Sequence, residues 1–337
     1  MFTIDIHTHI IPENLNDLIS TFNDQRYLSI KHVNERNAIL IKDHKEFRKI
    51  SCNCWHPQER IIDCSKTGVD VQVLSTIPAL FSYWAKKDEA LQLSEFVNNH
   101  IHDVIMENSK HFIGLGTVPM QNIDLAIQEM DRCINELNFP GIQIGSNVNG
   151  ENLNEEKFDP IFEYAEKINC SIFVHPWEMM GAKEVNKYWL PWLVGMPAET
   201  SRAICSLIFG GVLEKYPSLK FAFSHGGGSF PFTLGRIDHG YTMRPDLCAI
   251  DNRTLPSEYI GKFYIDSLVH DENILLFLIN QMGHDKIALG SDFPFPLGEK
   301  KPGQLIQNLN VSNKIKQRML AGTALEWLGL NEQNYIY

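Results

Sequence analysis

Eight short runs rich in β-branched and aromatic residues recur along the chain, with helix-like segments between them. The runs are FTIDIH, VDVQVLST, FIGLGTV, GIQIG, CSIFVH, LKFAFSH, KFYIDSL and KIALGSD. The intervening segments include PQERIIDCSKTG, LQLSEFVNNHIHDVIMENS, IDLAIQEMDRCINELN, NEEKFDPIFEYAEKIN and AETSRAICSLIFGGVLEKY. Strands joined through helices are crossover units and run parallel. Eight such units predict a (β/α)8 barrel rather than an open doubly wound sheet. At 337 residues, 44% hydrophobic and 21% charged, the chain can bury that core, and no Gly, Ser or Pro-rich linker divides it. A single barrel domain over residues 1–337 is therefore expected. Residues 14–50 break the pattern. Their stretch YLSIKHVNERNAILIKDHKEFRKI alternates around a polar NERNA turn, which predicts a small β-hairpin insertion over the barrel mouth.

Chemistry in such a barrel gathers where strands end. On the first strand, Asp5, His7 and His9 share one face and Ile4, Ile6 and Ile10 the other, because side chains alternate. Alone, the two imidazoles are either metal ligands or polar residues near a strand end. The fifth run ends at His175, the sixth at His225 and the eighth at Asp292, each after an apolar stretch suited to burial. Three histidines and a carboxylate match the ligand set of a catalytic Zn²⁺ that keeps a position for water or substrate. Their convergence on one rim favours that reading over four separate turn residues. His225 precedes Gly226, Gly227 and Gly228, which let the backbone approach a ligand. Since His7, His9, His175 and Asp292 fill the usual set, His225 is expected to take a proton from the water that the metal activates.

The formal charge of −11 argues against a general nucleic-acid or anionic-membrane surface, which needs a positive face. No run approaches the roughly 18 apolar residues of a membrane span. Seven cysteines, an odd number without paired spacing, and no charged-then-apolar leader point to a reducing cytosol. Cys52 and Cys54, the only close pair, lack the second pair of a zinc site.

Longer ordered blocks carry more specific information than a lone HxH. IDIHTHIIP, FSYWAK, GLGTVPMQ, FVHPWEM, KYWLPWLVGMPAET, HGGGSFPFTLGRIDHGY, MRPDLCA, DSLVHD and SDFPFPLGE span the chain nearly end to end. Together they resemble the aminocarboxymuconate-semialdehyde decarboxylase family of the amidohydrolase superfamily. The resemblance implies a zinc-dependent barrel decarboxylase of tryptophan degradation, one Zn²⁺ per subunit, without an organic cofactor. It would divert an unstable semialdehyde away from quinolinate and so from NAD synthesis. It implies that His7, His9, His175 and Asp292 bind zinc and that His225 is the catalytic acid/base, with Asp292 also shuttling a proton. Arg48 and Lys42 on the insertion, and Trp192, Met179 and Phe295 around the pocket, would contact substrate. Arg236 would reach in from the second subunit of a homodimer. Superfamily members with two metals need a bridging group on strand four, where GIQIGS offers Gln143 and Ser146 but no lysine or glutamate. The departures are His44, where relatives tend to have Gly, and Ser291 and Phe293 in place of the commoner Thr and Tyr.

The substrate so implied is a short dicarboxylate, and an acidic protein binds it through localised cations such as Arg48 and Arg236, whose forks match carboxylates. Lys42 has a weaker claim, since hairpin lysines are usually solvated. Trp192 and the FPFP aromatics are core or lid packing unless a flat unsaturated substrate lies against them. Addition of activated water before loss of CO2, or direct substrate coordination to the metal, both remain open. Two rivals stand beside this reading. A hydrolase of a lactone or amide would need no carboxylate clamp, and a silent zinc-barrel scaffold would hold metal without turnover.

Overall fold

The computed structural model describes residues 1–335, so residues 336 and 337 of the expected domain lie outside it. Eight parallel strands pair in chain order. They are β1 Ile4–Ile10, β2 Val71–Thr76, β3 Phe112–Thr117, β4 Gly141–Gly145, β5 Ser171–His175, β6 Phe221–Phe223, β7 Tyr264–Asp266 and β8 Ile287–Ala288. All eight coincide with the runs marked in the sequence. The seam between first and last strands is closed by single bonds, Ile6 N–H to Leu289 O at 2.9 Å and His9 N–H to Phe293 O at 2.8 Å. The sheet thus forms the expected (β/α)8 barrel.

The barrel interior is filled by Ile4, Ile6, Val71, Val73, Ile113, Leu115, Phe173, Ala222, Tyr264 and Ala288, all buried. Trp327 and Leu328 of the helix Thr323–Leu328 join this cluster. The outer faces of the strands pack against helices whose apolar residues recur at helical spacing. Lys87–Glu107, for instance, buries Leu93, Val97, Ile101 and Val104.

One detail of the first strand differs from strict alternation. The pairing of β1 with β2 slips between Asp5 and Thr8. Ile6 joins the interior with Ile4, whereas Ile10 joins the outer core. An irregularity of this kind re-aims the strand end. His7, the residue after Ile6, consequently still turns its ring inward, 5.1 Å from Phe173.

The insertion has one strand more than the expected hairpin. After the helix Leu15–Phe22, strands Ser29–Asn34, Asn37–Lys42 and Lys45–Ser51 form an antiparallel sheet. The third, KEFRKIS, is mostly polar and leaves only Ile50 fully buried, so its alternation is faint. In the turn before it, Asp43 (φ 52°) and His44 (φ 59°) are both left-handed, as in a two-residue hairpin turn. Glycine would adopt that conformation without strain. His44→Gly should therefore raise stability by about 0.5 kcal/mol, since the roughly 1–2 kcal/mol of relieved strain outweighs the extra chain entropy glycine loses. Urea unfolding with an unchanged or lowered midpoint would count against this account. Among the described residues, no helix is long and apolar enough to cross a membrane.

Candidate active site

β1 carries His7 and His9, β5 ends at His175, and Asp292 follows β8. One ligand atom from each lies within 4.8 Å of the others. The three imidazoles are buried and each is tethered through Nδ1. His7 Nδ1 donates to Asp266 Oδ2 at 2.7 Å, His9 Nδ1 to the Thr76 carbonyl at 2.9 Å, and His175 Nδ1 to the Pro176 carbonyl at 3.0 Å. These partners only accept, so each ring keeps its lone pair on Nε2. All three Nε2 atoms are buried without a hydrogen-bond partner among the described residues. Such orphaned acceptors cost about 1–3 kcal/mol each, and a cation shared among them satisfies all three. Asp292 Oδ1 lies 3.1 Å from His9 Nε2 and 3.5 Å from His7 Nε2. Three neutral nitrogens and one carboxylate, with tethered outer nitrogens, fit a divalent transition-metal ion.

The charges follow the same geometry. Burial raises the affinity of the Asp292 carboxyl for a proton, yet His9, His7 and His225 outweigh it and hold Asp292 below the ordinary carboxylate range. Burial, then crowding by His7 and His9, pushes His175 well below its ordinary value. For His7 burial also lowers the pKa, but the bond to Asp266 and the charge of Asp292 leave it raised. His225 is pushed down to about 4 by burial and by His7. Its ring centroid sits 5.1 Å from that of His7 and 5.3 Å from that of His175, and its Nδ1 is buried without a partner.

Beside the cluster opens a cavity. His9, His175, Asp292, Arg48, Met179, Trp192 and Phe295 line it, with Leu40 and Phe47 of the insertion. The Arg48 guanidinium carbon stands 4.4 Å over the Phe295 ring, and burial lowers its pKa. His225 lines an adjoining cavity that shares Trp192 and Met196. Two expected contacts lie apart. Lys42 is not on the cavity wall but 5.0 Å from the Trp177 ring, and Arg236 is exposed on the helix Phe230–Met243.

A profile of the amidohydrolase family matches residues 4–330. The chain belongs to the amidohydrolase family. Within it, a Dictyostelium discoideum protein named 2-amino-3-carboxymuconate-6-semialdehyde decarboxylase is 54% identical over 334 residues, covering 99% of this chain and 93% of that one. A Caenorhabditis elegans protein of the same name is 33% identical over 380 residues, covering 98% and 94%. The fold also matches the crystal structure of a dihydroxybenzoic acid decarboxylase from a Polaromonas species with bound manganese and the inhibitor 2-nitroresorcinol. The TM-score is 0.80 at 19% identity, covering 100% of this chain and 99% of that one. The resemblance carried by the ordered blocks is borne out.

Several residues of this amidohydrolase site are not evident from the strand-end histidines. Trp177 and Trp189 line the cavity. Asp266 closes β7, and the rule that singles out His175 would have found it in FYID. Arg60 has no such signal, since PQERIID reads as an ordinary amphipathic helix. It is nonetheless fully buried, donating to the His9 carbonyl at 2.6 Å, the Asn53 carbonyl and Gln72 Oε1 at 3.1 Å each, and Thr8 Oγ1 at 3.1 Å. It thereby clamps β1 at the metal-facing end. Ser291 takes the role open to a threonine, its hydroxyl and N–H both donating to Asp5.

Proposed function

We propose that the chain decarboxylates 2-amino-3-carboxymuconate 6-semialdehyde to 2-aminomuconate 6-semialdehyde in the kynurenine route of tryptophan breakdown, limiting quinolinate and NAD formation. The observation that carries this reading is 54% identity across 99% of the chain with a protein of that name. The reaction is non-oxidative, exchanging CO2 for a proton, and uses no organic cofactor. One Zn²⁺ per subunit is assigned to His7, His9, His175 and Asp292, a choice supported by the nitrogen-rich donor set. When bound, the ion supplies Lewis-acid polarisation and lowers the pKa of a water.

The side chains supply the rest. Arg48 binds a substrate carboxylate through its fork, steadied by the Phe295 face. Trp192, Met179 and Phe295 enclose the flat unsaturated chain and exclude water. Lys42, beside Trp177, attracts the second carboxylate at longer range. His225, uncharged at neutral pH, takes a proton from water and returns it to the carbon losing CO2, with Asp292 as shuttle. The scissile C–C bond leaves its electron pair in the conjugated system, where that proton lands.

Arg236 is exposed in its own chain, which supports its entry into the pocket of a homodimer partner. Free cysteines, five of them buried, support a cytoplasmic setting. The whole chain is read as one catalytic domain, with the 14–50 insertion over the mouth, because Leu40, Phe47 and Arg48 line the cavity.

Purified protein added to enzymatically generated substrate should consume it and release CO2. Substrate loss no faster than spontaneous cyclisation would sink the assignment. Arg48→Ala and Arg236→Ala should each be nearly inactive, whereas a lactone or amide hydrolase would tolerate both. Mixed one to one with subunit exchange, the two variants should recover about a quarter of wild-type activity, because half the dimers then hold one intact pocket. No recovery after proven exchange means that each site is built from one chain.

A further inference from the structure

Asp266 is fully buried at the end of β7 and has no part in the mechanism above, yet its carboxylate receives four hydrogen bonds. Oδ2 accepts from His7 Nδ1–H at 2.7 Å and from the His225 backbone N–H at 2.9 Å. Oδ1 accepts from the backbone N–H of Gly226 at 2.8 Å and of Leu268 at 3.1 Å. One group thus holds the ring of a residue on β1 and the backbone of the residues after β6.

The second hold answers a conformational problem. His225 (φ 56°) and Gly226 (φ 63°) are both left-handed, costly for a residue with a β-carbon. Successive N–H groups in such a bend form a cradle for an anion, and Asp266 occupies it. The first hold has its own accommodation. A β-carbon on Gly290 would lie 2.6 Å from Asp266 Cβ and 2.9 Å from His7 Cβ, so only glycine leaves the pair its space.

We infer that Asp266 is a positioning residue that sets His7 and His225 relative to one another. The inference rests on the proposed roles of those two histidines as metal ligand and proton carrier. All four partners are N–H donors, so after Asp266→Asn the new amide NH2 must face two donors whichever way it turns. The substitution is nearly isosteric, which separates this effect from loss of volume.

In metal-free wild-type protein, nitrogen NMR should show His7 protonated at Nδ1. Asp266→Asn should lose that signature and weaken Zn²⁺ binding by about 10–100-fold in chelator competition. With metal saturated, its kcat should still fall about tenfold or more while KM stays within about twofold, because His225 is released. Gly290→Ala, which crowds the same pair and removes no acceptor, should also weaken Zn²⁺ binding. Lower Tm with unchanged tautomer, Zn²⁺ affinity and saturated kcat would reduce Asp266 to a structural residue and overturn the inference. Should Asp266→Asn not fold, the wild-type tautomer decides, and His7 protonated at Nε2 alone, with a bare Nδ1, overturns it. Wild-type protein that binds no Zn²⁺ and decarboxylates nothing sinks the proposed function and this inference together. A working wild type matched by its variants sinks the inference alone.

Discussion

His225→Asn is expected to keep its metal and to lose about 10²–10⁴-fold in kcat, the usual contribution of a positioned acid/base. Two observations separate this residue from the ligand cluster. It lines the adjoining cavity, and it lies outside the four residues whose donor atoms converge. Burial and His7 hold its pKa near 4, so at neutral pH the imidazole is uncharged and can accept a proton. Asparagine approximates its size and tolerates a left-handed backbone better than most residues, but it cannot carry that proton. Metal content by elemental analysis and kcat from CO2 release give the answer. Metal lost together with activity would make His225 a ligand, and near wild-type kcat would move proton transfer elsewhere.

The strand ends of this barrel were legible because two signals cooperate. Apolar runs with period two locate the strands, and a polar residue closing such a run is conspicuous against its neighbours. His7, His9, His175 and Asp292 all satisfy that pattern, and the structure gathers them within 4.8 Å. The last three strands were legible as runs although they are only three, three and two residues long. Their flanking residues continue the apolar pattern without continuing the ladder.

What escaped has physical reasons too. The slip in β1 between Asp5 and Thr8 is a pairing event, and alternation within one strand cannot register it. Arg60 is buried without a carboxylate partner among the described residues and is satisfied largely by carbonyls, so nothing near it in sequence betrays its role. Arg236 is the converse. Its own chain leaves it on an exposed helix face, and only the family resemblance gives it a function. The third insertion strand hid because Lys45–Ser51 carries more charge than apolar alternation.

Asp292→Asn should weaken Zn²⁺ binding by more than about 100-fold and abolish turnover even when metal is in excess. Asp292 is the only carboxylate in the cluster, and its other members are three neutral imidazoles tethered at Nδ1. Without it, a divalent charge would sit in a buried pocket with no anion among its ligands. The lost attraction amounts to several kcal/mol even at an effective dielectric of about 20. His9, His7 and His225 hold Asp292 below the ordinary carboxylate range against its own burial, so the charge is present over the whole neutral range. Asparagine again suits the left-handed backbone at this position (φ 56°) and keeps an oxygen to offer. Asp292→Ala removes the oxygen as well. If charge dominates, the two variants should bind Zn²⁺ about equally poorly in chelator competition. If Asp292→Asn binds within about threefold of wild type, the three imidazoles suffice, and Asp292 is left with the proton alone.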